Sequence, residues 1–201
     1  MFTMLQPLVL ASQSPRRKSL LLCAGVSFEV RPSRIVEPVP PDGSLGPGGP
    51  CEVAKKCACL KAQAVQTDFP CARVLGADTI VVLEGSIFGK PRDGAQAVRM
   101  LQSLSGREHE VITGMCLLGP SDRAPRVGCV TTRVTFKALT SAEIEAYVKT
   151  GEPMDKAGAY GIQDRGAFLV RSIQGSYTNV VGLPLCETID WLLEEGIIQP
   201  A

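Results

Sequence analysis

Two serines and two arginines crowd one bend of the chain, in "LASQSPRRKSLL" at residues 10–21. Ser12 and Ser14 supply hydroxyls, Pro15 fixes a first helical turn, and Arg16 and Arg17 follow at once. The first backbone N–H groups of a helix lack intrahelical partners and carry the positive end of its dipole, which suits a phosphate. An arginine fork can add two parallel hydrogen bonds to a phosphoryl group. The same letters also make an ordinary cap, with Ser14 as N-cap and Pro15 at the first helical position. Cationic side chains in a first turn oppose the dipole, so the arginines are mildly costly there unless an anion offsets them.

A second chemical signal lies in "GADTIVV", where Asp78 interrupts an apolar strand. A buried carboxylate must be paired, coordinated or placed at a strand end. Open α/β sheets hold ligands at strand ends, so Asp78 could bind Mg²⁺ or orient water. Alternatively it caps a turn while Thr79 returns to the core. Lys90, in "FGKP", has its backbone restricted by Pro91 and its ammonium left to reach a phosphate. In "GEPMDKAGAYGIQDRG", Asp155, Lys156 and Gln163 alternate with glycines that permit tight turns. Gln163 carries both donor and acceptor and could read a base edge, although glycine-rich surface loops are common. Glu37 alone reads as a solvated loop acid. Lys55, Lys56 and Lys61 read as a solvated helix face, Glu52 being spaced to pair with the first two and Lys61 standing outside that pairing. His109, the single histidine, has no nucleophile pattern beside it and reads as an ordinary exposed or half-buried residue.

These residues need elements to hold them. A strand at residues 9–11 leads into the serine-arginine bend and a helix closed by Gly25; "VSFEV" alternates as a second strand. Residues 38–50, "PVPPDGSLGPGGP", read as a flexible loop forming a lid or rim. "CEVAKKCACLKAQAV" predicts a helix burying Val53, Cys57, Leu60, Ala64 and Val65. "VLGADTIVVLEGSIFGKP" predicts two strands around a polar break at Asp78 and Thr79, then a turn at Glu84 and Gly85. "DGAQAVRMLQSLSG" predicts an amphipathic helix, and "HEVITGMCLLG" and "RVGCVTTRVTFKAL" predict adjacent strands. A capped helix at "TSAEIEAYVKTG", a strand at "AFLVRSI" and a terminal helix at "LPLCETIDWLLEEG" complete the chain. The expectation is one α/β domain over residues 5–197 with a mixed central sheet. Neither GxGxxG after a strand nor GxxxxGK[ST] occurs.

The bulk composition narrows the partners. With 201 residues, 21 Lys plus Arg and 20 Asp plus Glu, the net charge is +1, giving no basic field for nucleic acid or an anionic membrane. Aromatics are 5% of residues, thin for stacking on single strands. "PLVLA" is too short for a signal or anchor, so a cytoplasmic protein is expected. The eight cysteines lack a metal-knuckle spacing, and reduced, mostly buried thiols are expected.

Taken in order, "LASQSPRR", Glu37, "LKA" at Lys61, "GADTIV", "GKP", "LSGREHEVITG", "DKAGAYGIQ" and "GSYTNVVGLPL" resemble the Maf family of nucleoside triphosphate pyrophosphatases, from about Leu8 to Leu193. The resemblance implies a mixed α/β fold of two lobes around a cleft, similar to the inosine triphosphate pyrophosphatases. It also implies a homodimer and a divalent cation, Mg²⁺ or Mn²⁺, held by Glu37 and Asp78. Ser12, Ser14, Arg16 and Arg17 fall in the phosphate-binding bend, and Asp78 falls on the proton acceptor. Arg16, Thr79 and Gln163 match positions linked to substrate choice. Glu37, Lys61, Lys90 and Lys156 fall on the other charged cleft positions. "GADT", "YGIQ" and "SYTNVVGLPL" look like the branch acting on dTTP and UTP, while Asp164 stands where that branch commonly has glycine.

Overall fold

In the computed structural model, which describes residues 1–35, 48–120 and 124–201, the chain begins with β1 (Phe2–Met4), β2 (Leu8–Leu10), α1 (Pro15–Cys23) and β3 (Glu29–Val30). It continues through α2 (Gly49–Gln66), β4 (Arg73–Leu83), β5 (Ser86–Phe88) and α3 (Gly94–Leu104). Next come β6 (Glu108–Leu118), β7 (Arg126–Phe136) and α4 (Ser141–Lys149). Three short 3-10 turns, Glu152–Asp155, Ala157–Ala159 and Asp164–Leu169, lead into β8 (Val170–Gln174), α5 (Tyr177–Val181), α6 (Leu185–Glu194) and β9 (Ile198–Pro200). Glu37, and the expected loop as far as residue 47, lie outside the described residues. Gly49 and Pro50, expected in that loop, open α2 instead.

The main sheet runs β3-β2-β4-β6-β7-β8, with β5 added beside β4; β1 and β9 form a separate antiparallel pair. β2 is parallel to β3 and β4, and the other pairings are antiparallel, so the sheet is mixed as expected. One edge of β4 is shared. β2 pairs with residues 73–75 and β5 with residues 81–83, leaving 76–80 between them without a strand partner on that side among the described residues. On its other side β4 pairs with β6 from Val74 to Val82 without interruption. The expected break at Asp78 and Thr79 therefore does not exist. The neighbouring β2 stops opposite Leu75, short of these residues, and β4 itself continues.

α2 packs close to the sheet because small residues line the contact. A Cβ on Gly76 would stand 2.3 Å from the Ala58 carbonyl oxygen, and one on Gly114 would stand 2.3 Å from the Ala54 carbonyl carbon. The buried face of α2 is Ala54, Cys57, Ala58, Lys61, Ala62 and Val65. The expected stripe was rotated: Val53 and Leu60 are only half-buried, and Ala64 is exposed. Elsewhere the local signals hold. Asp93 caps α3 by accepting from the Gln96 N–H at 2.7 Å. Thr140 and Glu143 form a reciprocal capping box on α4. "VSFEV" yields only the two-residue β3.

Two apolar clusters flank the gap in β4's edge. Val81, Leu101, Leu104, Val134, Phe136, Ile144 and Tyr147 pack on one side. Leu21, Leu75, Ala77, Met115 and Leu192 pack on the other. The cysteines depart from expectation: Cys51 at the start of α2 is disulfide-bonded to Cys129 on β7, and Cys23, Cys71 and Cys186 are exposed. Cys129 lies opposite Gly114 in the β6–β7 register, and the missing side chain at Gly114 brings the first turns of α2 within reach of it. No helix among the described residues is long and apolar enough to cross a membrane.

Candidate active site

A cavity of about 530 Å³ opens at the gap between β2 and β5. Ser12, Ser14, Arg16, Arg17, Lys61, Asp78, Thr79, Lys90, Lys156 and Gln163 all line it. Of the candidates named from sequence, only Glu37 is not placed there, lying outside the described residues. The sheet accounts for this convergence. β2 delivers the bend and the start of α1 to one side, the exposed edge of β4 offers Asp78 and Thr79, and the turn after β5 brings Lys90.

The two arginines of the bend divide their work. Arg17 is buried, 8% exposed, and its guanidinium is committed to protein. Its Nε donates to the Gly182 carbonyl at 2.6 Å, one terminal nitrogen to Ser12 Oγ at 3.2 Å, and the other to Thr79 Oγ1 at 2.9 Å. It ties the bend to β4 and to the residue following α5. Ser12 Oγ also accepts from the Ser14 N–H at 3.2 Å, and Ser14 makes no side-chain cap bond. Arg16 turns outward, its side chain 25% exposed and 3.4 Å from Asp155 Oδ2.

Asp78 is 4% exposed and Lys61 is 8% exposed, and Lys61 Nζ donates to Asp78 Oδ1 at 2.5 Å. The lysine that sequence reasoning set among a solvated face is thus the partner that a buried carboxylate requires. Thr79 points to the opposite face of β4. Its Oγ1 lies 2.9 Å from Thr113 Oγ1 on β6, and Thr113 donates in turn to the Asn179 carbonyl at 3.1 Å.

Lys90 is exposed at the rim. Lys156 donates to the Glu152 carbonyl at 2.6 Å and to Asp155 Oδ1 at 2.7 Å. A clamp holds the segment that carries them: Tyr147 donates to Glu152 Oε1 at 3.0 Å, and the same oxygen accepts from the Gly166 N–H at 3.1 Å. Tyr160 lines the cavity with its hydroxyl 2.8 Å from Nε2 of His109. His109, expected exposed or half-buried, is only 2% exposed. Tyr160 and Gly182 were missed as individual site residues. Their only sequence signal was membership of the two glycine-containing motifs, since apolar and backbone contributions leave no charge pattern to read.

Basic groups outnumber acids among the lining residues, so the cavity suits a multiply charged anion. Among the described residues no trio of His, Cys, Asp or Glu could by itself hold a metal ion. A buried single carboxylate facing an anion cleft does fit a cation such as Mg²⁺, which typically uses one or two carboxylates and completes its shell with substrate phosphates and water.

Fold and site together define a mixed α/β protein with a cleft, lined by more basic than acidic side chains, along one edge of its central strand. The fold is similar to that of a HAM1 protein from Coxiella burnetii, with a TM-score of 0.51 and 16% identity over 95% of this chain and 100% of that one. A Ham1 protein from Staphylococcus aureus matches with a TM-score of 0.50 at 15% identity and the same coverage. The family follows from sequence: residues 7–195 match "Maf-like protein", and the chain belongs to that family. A dTTP/UTP pyrophosphatase of Moorella thermoacetica is 50% identical over 190 residues, covering 94% of this chain and 95% of its own. One of Geobacter sulfurreducens is 50% identical over 192 residues, covering 95% and 97%. One of Symbiobacterium thermophilum is 47% identical over 192 residues, covering 96% and 95%.

Proposed function

We propose that the protein hydrolyses dTTP and UTP between the α and β phosphates, releasing the nucleoside monophosphate and pyrophosphate. The observation that carries this reading is the buried Lys61–Asp78 pair at the floor of a cleft otherwise edged by outward-facing cations. Relatives of about half identity that are named for this activity support it. The triphosphate lies along the start of α1, where the positive end of the helix and Arg16 meet it, while Lys90 and Lys156 offset its remaining charge. Arg17 holds the bend in shape. Asp78 takes the proton of the attacking water, and Lys61 orients its carboxylate for that task. Gln163, at the far wall, faces the base with one donor and one acceptor group.

A divalent cation would be held by Asp78 and substrate phosphate oxygens, with Glu37 as a further ligand; when bound it supplies positive charge to the triphosphate. The test is a steady-state panel of canonical and modified triphosphates, with pyrophosphate and orthophosphate measured separately. Faster cleavage of dTTP and UTP than of CTP, ATP or GTP, with pyrophosphate as co-product, is expected. Preference for 7-methyl-GTP, or release of orthophosphate alone, overturns the reading.

A further inference from the structure

Asp155 stands in the cleft between two cations that the proposed substrate needs. Its Oδ2 lies 3.4 Å from Arg16 and its Oδ1 accepts from Lys156 at 2.7 Å. Arg16 comes from the start of α1 and Asp155 from the 3-10 turn after α4, so the contact spans the cleft between segments 139 residues apart in sequence. Among the described residues Arg16 and Lys156 have no other carboxylate partner.

We propose that Asp155 is a built-in counter-anion: its carboxylate engages Arg16 and Lys156 in the ligand-free protein, and the polyphosphate of the substrate displaces it, so that Asp155 sets affinity for that polyphosphate. This rests on the reading of the cleft as a triphosphate site.

The geometry suits a contact made to be broken. The Asp155 side chain is 61% exposed, the Arg16 bond is long, and exposed ion pairs contribute little to stability. A polyphosphate presents several acceptor oxygens and more negative charge, so it wins both cations. The carboxylate is ionised when it does so. Partial burial pushes its pKa upward, but hydrogen bonding to Lys156 and the charge of Arg16 prevail and hold it below the ordinary aspartate value. A carboxylate left near the bound polyphosphate also repels it, which acts in the same direction.

The experiment is calorimetric titration of inorganic tripolyphosphate into the wild-type protein and the Asp155→Asn, Asp155→Glu and Asp164→Asn variants. Asp164 is the control, because it lines the same cavity without an ion pair among the described residues and its backbone, at φ +55°, tolerates asparagine. Asp155→Asn should tighten binding by about three- to tenfold, as expected for two weak competing pairs. Asp155→Glu should stay near wild type, and Asp164→Asn should change affinity less than Asp155→Asn. Equal tightening by both asparagine variants would reduce the effect to bulk charge and overturn the proposal. Unchanged or weaker binding in Asp155→Asn would overturn it too, as would absence of tripolyphosphate binding by the wild type. Wild-type turnover of dTTP is measured alongside: tripolyphosphate binding that responds to Asp155 without dTTP turnover would leave this inference standing and reject the proposed function instead.

Discussion

At the scale of single residues, adjacency in sequence conceals opposite duties. Arg16 and Arg17 read as one cationic pair, yet successive helical residues point about 100° apart. One guanidinium therefore enters the protein and the other faces the cleft. Arg17→Ala removes three hydrogen bonds, to the Gly182 carbonyl, Ser12 and Thr79, that tie the bend to β4 and to the residue after α5. It should destabilise the fold by about 2–4 kcal/mol in urea unfolding. Arg16→Ala should leave the unfolding midpoint almost unmoved while lowering kcat/KM by at least about tenfold, the equivalent of one lost charge-assisted hydrogen bond. Comparable destabilisation by both variants would reject this division. Asp78→Asn keeps the size of the side chain and removes the charge. If Asp78 accepts the water proton, kcat should fall by about 10²–10⁴ with nucleotide binding retained. A purely structural aspartate would instead show near-normal turnover; the melting temperature should fall under either reading, because Lys61 Nζ loses the carboxylate it donates to.

At the scale of elements, the approach of α2 to β4 and β6 decides whether Lys61 can reach Asp78. Gly76 and Gly114 permit that approach, because a Cβ at either position would collide with the backbone of α2. Gly114→Ala should force the helix outward, cost about 1–3 kcal/mol through overpacking, and reduce turnover beyond what global stability explains. Full activity in the folded variant would show that the Lys61–Asp78 distance is not critical. The same helix explains what the sequence hid. Its period was legible, but weighting Leu60 and Val53 above alanines turned the stripe away from Ala54, Ala58 and Ala62, and Lys61 was left on the wrong face. Likewise Asp78 suggested a broken strand only because its partner was unseen; once Lys61 pairs it, β4 continues unbroken. Caps, turns and the order of elements were readable because they are local. The shared edge of β4 was not, since it depends on two strands, one from either side in sequence, ending at the right places.

At the scale of the whole molecule, one buried histidine should govern stability in mildly acidic solution. His109, the second residue of β6, places Nε2 against the Tyr160 hydroxyl and makes edge-on ring contacts with Phe136 at 4.9 Å and Tyr160 at 5.4 Å. It thereby joins the apolar cluster behind α3 and α4 to a ring that lines the cleft. Burial lowers its pKa from 6.5 to about 4, so the folded protein keeps it neutral while the unfolded chain protonates near the ordinary value. The unfolded state therefore binds more protons between these values, and stability must fall as pH drops from about 6.5 toward about 4. The full effect is about 3 kcal/mol, with about 2 kcal/mol expressed by pH 5. Glu143 acts in a lower window: hydrogen bonds from Lys137 and Thr140 hold its pKa near 2, so its contribution is complete above the ordinary carboxylate value of 4.5 and is lost only below it. Because the chain contains a single histidine, the slope between pH 6.5 and 5 can be assigned. Urea unfolding at closely spaced pH values should show that slope in the wild type and lose it in His109→Phe, which keeps ring contacts and removes the titration. The variant's overall stability does not matter to the test, since only the slope is read. An undiminished slope in His109→Phe would mean that other groups carry the acid sensitivity and that His109 titrates alike in the folded and unfolded chain.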